Sequence, residues 1–274
     1  MTIVVAVRTG AAVVLAADSK LTTQAPAGRN PDGTIRYLPQ TYDSAVKIVR
    51  DFSETSIAAF AGHGNIGEQN ATDYFSRVQA QMYQPPEIQD QRLREIVDEM
   101  VVARRDFWTE LGLPLDQIPP TIVILAAAPQ GATAPRVWRI ELIGPEGAIT
   151  EILKSAGVWF EGSIHMVMTL LYGLTGVQAE ALRLELGVDQ DVFSKALNSA
   201  TDSSAIRQIN FWTMPLQDAI DFAVFCAKLQ VEMERFLPGM AACGGPIDLM
   251  AVEMAPRPNI LDLPGKALHH PHLG

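Results

Sequence analysis

The first twenty residues, MTIVVAVRTGAAVVLAADSK (residues 1–20), place a threonine directly behind the initiator methionine and end an apolar run on a carboxylate, Asp18. Residues 3–8 and 12–17 are rich in β-branched and other apolar side chains, and Thr9-Gly10 between them suits a tight turn. This pattern predicts two β-strands joined as a hairpin. A carboxylate that follows such a run needs a cation or hydrogen-bond donors, because burying it alone is costly.

The composition is that of a globular protein without an affinity for phosphate backbones. Of the 274 residues, 48% are hydrophobic and 19% charged, which allows a sizeable core. The chain has 31 acidic and 21 basic residues, so we do not expect nucleic acid as a partner. The two cysteines and the absence of a signal-like opening segment predict a cytoplasmic protein without disulfides. No apolar run approaches the ~18 residues of a membrane span, so we expect no membrane association.

The remaining elements predict sheets packed on each other with pairs of helices outside. Residues 22–44, with three prolines, read as a long surface loop or insertion. The periodicity predicts strands near residues 46–51, 55–61, 121–128, 136–143, 148–154 and 247–254. It predicts helices over residues 65–83, 88–111, 163–174 and 215–237, with weaker helical pieces in 176–212. We therefore expect one domain over residues 1–256, with insertions near 22–44 and 176–212, and a Pro/His-containing tail over 257–274.

Thr2 carries the first element of a reactive site. If Met1 is removed, which a small second residue favours, Thr2 presents a hydroxyl and its own α-amine on one residue. A free hydroxyl is a weak nucleophile, and an N-terminal amine is a recognised base for threonine. An α-amine with a reference pKa of about 7.7–8.0 is partly neutral near pH 7, as a proton acceptor must be.

Asp18 and Lys47 are a candidate ion pair beside Thr2. In AVKIV (residues 45–49), Lys47 projects to the face opposite its neighbours if the segment is a strand. If that strand pairs with the one that ends at Asp18, the two charges meet near Thr2, where a cation would favour deprotonation of the hydroxyl. The alternative without a functional role is that Asp18 caps a turn and Lys47 is a solvated strand residue.

A third stretch, SIAAFAGHGNIG (residues 56–67), breaks at Gly62 and Gly64. A glycine-broken strand ahead of a helix exposes backbone N–H groups, the donors that stabilise a tetrahedral oxyanion. No Gly-Lys-Ser/Thr follows, so this is not a phosphate-binding loop.

These stretches together resemble the proteasome β-subunit type of N-terminal nucleophile hydrolase. The matching segments are Thr2-Ile3-Val4, VVLAADSKLT (13–22), KIV (47–49), AAFAGHG (58–64) and CGGPIDLMAVE (243–253). The resemblance implies an α+β fold, a four-layer αββα sandwich, and a threonine endopeptidase without a metal or organic cofactor. It also implies a homo-oligomeric ring that acts on peptides or unfolded proteins, with an ATP-dependent unfoldase as a candidate partner.

The resemblance also implies a role for individual residues. Thr2 would be nucleophile and base, Asp18 and Lys47 its activating pair, and Gly62 the oxyanion donor. Ser163, after Gly162, would support the site. Substrate would contact a further group of residues: Lys20, Leu21, Thr22, Ala45, Val49, Phe60 and Gly64. Among these, Thr22 would bind extended substrate backbone, and Phe60 would make the pocket shallow and apolar, which favours small or medium uncharged side chains.

The sequence departs from that family in MAACGG (residues 240–245), where Met240 and Cys243 stand in place of an acid and a serine. This departure keeps two alternatives open. One is a catalytically inactive subunit that only forms a ring. The other is an N-terminal nucleophile amidase that acts on a small non-peptide amide.

Overall fold

The architecture is taken from a computed structural model that describes residues 2–29, 35–112, 114–144, 146–201, 204–238, 241–254 and 259–263. Two five-stranded antiparallel sheets form its centre. The first sheet contains β1 (Ile3–Arg8), β2 (Ala12–Asp18), β12 (Gly157–Gly162), β13 (Ile247–Glu253) and β14 (Asn259–Leu263), in the order β12-β1-β2-β13-β14. The second contains β5 (Ile48–Arg50), β6 (Ser56–Gly62), β9 (Thr121–Ala127), β10 (Arg136–Ile143) and β11 (Glu146–Ile152), in the order β11-β10-β9-β6-β5.

Two short ribbons, a 3₁₀ helix (Leu115–Gln117) and seven α-helices complete the described elements. The ribbons are β3 (Leu21–Arg29) with β4 (Ile35–Tyr42), and β7 (Asn65–Ile66) with β8 (Gln69–Asn70). The helices are α1 (Ala71–Arg77), α2 (Pro86–Glu110), α3 (His165–Tyr172), α4 (Gly176–Leu186), α5 (Gln190–Thr201), α6 (Ala205–Gln208) and α7 (Leu216–Glu234). None of these helices, within the described ranges, combines the length and apolar character that crossing a membrane requires.

Three apolar cores separate four layers. Alternate side chains of β1 point to opposite faces of the first sheet, so Val4 and Ala6 face the second sheet. Ile3, Val5 and Val7 face α7, where Ala219, Ala223 and Cys226 pack against them. A third core joins the second sheet to α1 and α2. Because β1 is buried on both faces, its apolar run is continuous rather than alternating. The layers are helix, sheet, sheet, helix, so the expected α+β, αββα fold is confirmed.

Two local predictions were wrong. Residues 22–44 are not simply a loop, because β3 and β4 pair from Leu21 opposite Tyr42 onward. Proline is tolerated there because each strand of a two-stranded ribbon is an edge strand. The helix expected from residue 65 begins only at Ala71, where the Asn70 side chain accepts a hydrogen bond from the Thr72 N–H at 3.0 Å.

Two strands of the first sheet, β12 and β14, were missed by the sequence reasoning. β12 pairs with β1, with Gly162 opposite Ile3, and so forms one edge of the first sheet. β14 lies within the expected tail and pairs with β13, with Leu261 opposite Ala251. Residues 257–258 and 264–274 of that tail lie outside the described residues, and the division into one domain and a tail stays a prediction.

Candidate active site

Three side chains from three different segments meet at one end of the sandwich. Thr2 directly precedes β1, Asp18 ends β2 and Lys47 directly precedes β5. The Lys47 Nζ donates hydrogen bonds to Thr2 Oγ1 at 2.7 Å and to Asp18 Oδ1 at 2.8 Å. All three residues are buried. The predicted meeting of Asp18 and Lys47 beside Thr2 is therefore present in the structure.

The route by which they meet differs from the one expected. β2 belongs to the first sheet and β5 to the second, so these strands do not pair. The Lys47 side chain instead reaches across the interface between the sheets. The Lys47 main chain is fixed from the first sheet as well, because its N–H donates to Asp248 Oδ2 at 2.9 Å.

The Asp18 carboxylate is fully buried and well supplied with donors. Besides Lys47, it accepts hydrogen bonds from the backbone N–H groups of Ile3 (3.1 Å), Lys20 (3.2 Å) and Gly244 (3.0 Å). These donors offset the cost of burying a carboxylate and hold it in one orientation. Asp18 thus fixes the position of the Lys47 ammonium against the Thr2 hydroxyl.

The electrostatic state of Lys47 follows from its burial. Burial lowers the pKa of Lys47 below its usual value, and the charge and hydrogen bond of Asp18 partly offset this effect. A lysine with a lowered pKa exchanges a proton more readily near neutral pH. Lys47 therefore holds its ammonium against the Thr2 hydroxyl oxygen, and this positive charge favours deprotonation of the hydroxyl.

The Gly162-Ser163 turn holds the main chain of Thr2. The Ser163 N–H donates to the Thr2 carbonyl oxygen at 2.7 Å. Gly162 has φ = +86°, and a Cβ at this position would lie 1.8 Å from the Thr2 oxygen, so that only glycine fits. Ser163 therefore contacts the main chain of Thr2, next to the predicted nucleophile that the resemblance expects it to support.

The Ser163 side chain leads to a carboxylate that the sequence reasoning missed. Its Oγ donates to Glu234 Oε1 at 2.7 Å, and Gln230 Nε2 donates to the same oxygen at 3.0 Å. Both residues lie on the buried stripe of α7 with Ala219, Ala223 and Cys226. Two polar side chains four residues apart on an otherwise apolar stripe were the signal in the sequence. Met240, where an acid was expected, lies outside the described residues.

Cys243 lies beside this network as a neutral thiol. It is 1% exposed, and burial raises its pKa to about 12, with Asp18 and Glu234 acting in the same direction. The thiolate is the nucleophilic form of cysteine, and it is not populated at such a pKa near pH 7. Cys243 is thus a packing residue here, not a competing nucleophile.

A cavity of about 80 Å³ opens beside Thr2 and Lys47. Most residues expected to contact substrate line it, together with Gly62: Lys20, Leu21, Thr22, Ala45, Phe60 and Gly64. Val49 does not line it and packs instead in the core toward α1 and α2. Asn70, Ala71 and Thr72 also line the cavity, and they were missed because the helix start was placed too early. The Asn-Ala-Thr-Asp sequence there is typical of a helix N-cap.

Gly62 and His63 form the rim of the cavity at the end of β6. Gly62 has φ = +85°, and a Cβ there would lie 2.4 Å from the Pro120 oxygen, so this turn also needs glycine. Burial and the nearby Arg104 charge lower the pKa of His63, which favours its neutral form. No cluster of three or more His, Cys, Asp or Glu residues able to hold a metal ion occurs in the described ranges.

Comparisons with known proteins correct the expected family. Neither a family model nor a curated protein matches the chain. An Anbu Gly-1 mutant from Hyphomicrobium sp. strain MC1 matches with 15% identity, 96% of this chain and 88% of that chain covered, and a TM-score of 0.42. Anbu (ancestral beta-subunit) from Yersinia bercovieri matches with 13% identity, 99% and 89% coverage, and a TM-score of 0.40.

Anbu proteins are proteasome-like but form a distinct family. The family assignment drawn from the sequence motifs is therefore wrong. The motifs remain as local features, and three of their residues, Thr2, Asp18 and Lys47, are in contact in the structure. What stands is the αββα fold and the arrangement of Asp18 and Lys47 around the Thr2 hydroxyl.

Proposed function

We propose that the chain is an N-terminal nucleophile hydrolase that cleaves peptide bonds through an ester on Thr2. The observation that carries this proposal is the 2.7 Å hydrogen bond from the Lys47 ammonium to the Thr2 hydroxyl. Burial of the Lys47–Asp18 ion pair carries a desolvation cost, and buried titratable groups with a shifted pKa cluster at functional sites. The proposal requires removal of Met1, which frees the Thr2 amine.

In the proposed reaction, Thr2 Oγ1 attacks the carbonyl carbon of the scissile amide and its proton passes to the Thr2 amine. The negative charge on the carbonyl oxygen is stabilised by the Gly62 N–H. The amine then gives the proton to the leaving nitrogen as the C–N bond breaks, which leaves an ester on Thr2. Water then attacks the ester carbonyl carbon and gives a proton to the amine. The amine returns this proton to Thr2 Oγ1 as the ester C–O bond breaks, which restores the hydroxyl and releases the carboxylic acid product.

The cavity supports a preference for small or medium uncharged side chains, because it is small and Phe60 forms part of its wall. Thr22 and Leu21 lie at the start of β3, where an extended peptide can align beside them. The proposal includes a homo-oligomeric ring that encloses the Thr2 sites, because an exposed protease of this kind would have poor selectivity. A cytoplasmic location and an ATP-dependent unfoldase as partner belong to the same proposal.

The test is the intact mass of the protein before and after incubation with a peptide epoxyketone that ends in alanine. This reagent reacts with a hydroxyl and an amine on the same residue. We expect a chain without Met1 that gains the mass of one inhibitor, and no gain in Thr2→Ala. A chain without Met1 that gains nothing contradicts the proposal and favours an inactive subunit, and retention of Met1 contradicts it as well.

A small non-peptide amide is the second candidate substrate, and the cavity volume of about 80 Å³ is the observation that favours it. This amidase would use the same chemistry at Thr2 without a ring. Native mass spectrometry measures whether a ring forms, and an amide-hydrolysis assay measures turnover of small amides and peptides. A monomer that hydrolyses small amides but no peptide would replace the peptidase proposal.

A further inference from the structure

We infer that Glu234 is a positioning residue for Thr2, because its carboxylate ties together the two loops that hold the nucleophile and its acidic partner. The inference rests on the proposed function insofar as Thr2 is the reacting group. Glu234 ends α7 and is 5% exposed. It does not line the cavity beside Thr2.

The first loop is the Gly162-Ser163 turn. Glu234 Oε1 accepts a hydrogen bond from Ser163 Oγ at 2.7 Å. The backbone N–H of the same serine donates to the Thr2 carbonyl oxygen at 2.7 Å. A shift of Ser163 therefore moves the main chain of Thr2, and with it the hydroxyl relative to Lys47.

The second loop is residues 242–245. Glu234 Oε2 accepts a hydrogen bond from the Ala242 N–H at 2.9 Å. Two residues further along, the Gly244 N–H donates to Asp18 Oδ2 at 3.0 Å, and the Gly244 oxygen accepts from the Ser19 N–H at 3.1 Å. The loop thus fixes Asp18, the residue that fixes Lys47.

Only an ionised carboxylate fits this position well. Its two oxygens accept from Ser163, Gln230 and Ala242, and an amide would place an NH₂ group against one of these donors. Burial favours the neutral form of Glu234, but these hydrogen bonds outweigh burial and lower the pKa of the carboxyl. Gln230 is held in turn, because its Oε1 accepts from the Met166 N–H at 3.0 Å.

This arrangement supplies an acid that the sequence lacked at Met240. The carboxylate comes from a helix rather than from the segment that precedes Cys243. One charged group with hydrogen bonds into both loops gives more orientation than separate neutral contacts, since hydrogen bonds to ionised acceptors are stronger. Glu234 touches neither the cavity nor Thr2, so its effect on reaction is indirect.

The test compares Glu234→Gln with Glu232→Gln in their reaction with the alanine-ended peptide epoxyketone. Glu232→Gln is the same chemical change on the same helix, but the Glu232 side chain is exposed and pairs with Arg235. We expect Glu234→Gln to lower the maximal inactivation rate constant roughly 100-fold, the scale of a 1 Å misplacement. The half-saturating concentration should stay unchanged, because the cavity is intact. Equal maximal rates in a folded Glu234→Gln protein would overturn the inference.

A double-mutant cycle with Ser163→Ala tests the route of the effect. If Glu234 acts through Ser163, the combined variant should lose far less than the product of the two single losses. Fully multiplicative losses would overturn the route through Ser163. Should Glu234→Gln fail to fold, Glu234→Asp keeps the charge and shortens the reach. We then expect a smaller but measurable loss of the maximal rate, and a rate equal to that of the parent chain would count against Glu234.

A spectroscopic measurement separates this inference from the proposed function. If the parent chain does not react with the inhibitor at all, the proposed function fails, whatever Glu234 does. The methyl resonance of Thr2, assigned with Thr2→Ala, still reports its position. It should shift in Glu234→Gln and not in Glu232→Gln. An unchanged resonance in both variants would overturn the positioning role.

Discussion

Lys47 and Thr2 are joined by a hydrogen bond of 2.7 Å between Nζ and Oγ1, although they come from opposite sheets of the sandwich. The same ammonium donates to Asp18 at 2.8 Å, which leaves it little freedom to turn away. The site is therefore assembled by the packing of the two sheets. Its integrity depends on the sandwich as a whole rather than on any one strand.

Replacing Lys47 should strongly lower the reactivity of Thr2. In Lys47→Met the hydroxyl loses the adjacent cation, and we expect the rate of epoxyketone modification to fall by about 10²–10³-fold, the scale for loss of one preorganised electrostatic donor. Intact mass against time measures the rate. Lys228→Met is the matched control, because Lys228 is exposed on α7. A Lys47→Met protein that reacts at the parental rate would rule out a role for the ammonium.

Gly162→Ala should displace Thr2, in addition to causing the backbone strain expected of any alanine with a positive φ. A Cβ at Gly162 would lie 1.8 Å from the Thr2 oxygen. Gly173 supplies a matched control, since its φ of +89° resembles the +86° of Gly162 and nothing lies within 4 Å of its Cβ position. We expect Gly173→Ala to lower stability modestly and keep Thr2 reactive.

Gly162→Ala should lower stability further and abolish modification of Thr2. Urea unfolding and intact mass measure the two effects. Equal losses of stability in both alanine variants would show that the Gly162 turn does not press on Thr2.

Part of this site could be read from the sequence because its signals are local. The apolar run of β1 and β2 indicated strands buried on both faces, and Asp18 at its end indicated a buried carboxylate in need of a partner. The partner itself was suggested from Lys47, but through strand pairing that does not occur. Side-chain contacts between two sheets have no characteristic residue spacing in the sequence. The contact of Lys47 with Asp18 across the sheet interface could therefore not be predicted.

The Glu234 network shows the same limit. Gln230 and Glu234 stand out on the buried stripe of α7, so a polar contact there was predictable in principle. Its partner, Ser163, lies 71 residues away and is brought close only by the packing of α7 on the first sheet. The β3–β4 ribbon was missed for a different reason, because proline weighs against strands in general but not in edge strands.

Phe60 should set the size of side chain that the cavity accepts. Its ring lines the cavity and packs edge-on against Phe75 at a centroid distance of 6.0 Å. Phe60→Ala should cost about 3–5 kcal/mol of stability, as for other buried phenylalanines, and should enlarge the cavity. We expect it to raise the reactivity toward a phenylalanine-ended epoxyketone relative to an alanine-ended one.

Phe75→Ala is the control for the Phe60 prediction. Phe75 is fully buried in the same core but does not line the cavity, so its loss should destabilise the protein without altering the preference between the two inhibitors. The ratio of inactivation rates for the two inhibitors measures the preference. A shift of similar size in both variants would mean that general loosening, not cavity size, controls selection.

The buried thiol of Cys226 should make the protein less stable at alkaline pH. Burial raises its pKa from 9.0 to about 12, so the folded chain keeps a proton that the unfolded chain releases. The stability that this raised pKa contributes to the folded state is fully present below pH 9 and is lost as the pH rises toward 12. Between pH 8 and pH 10, the free energy of unfolding should fall by about 1.4 kcal/mol more than in Cys226→Ala. Urea unfolding at both pH values measures this difference, in which Cys243 and Lys47 cancel because both variants retain them. Parallel pH profiles would show that the thiol is not held neutral by the fold.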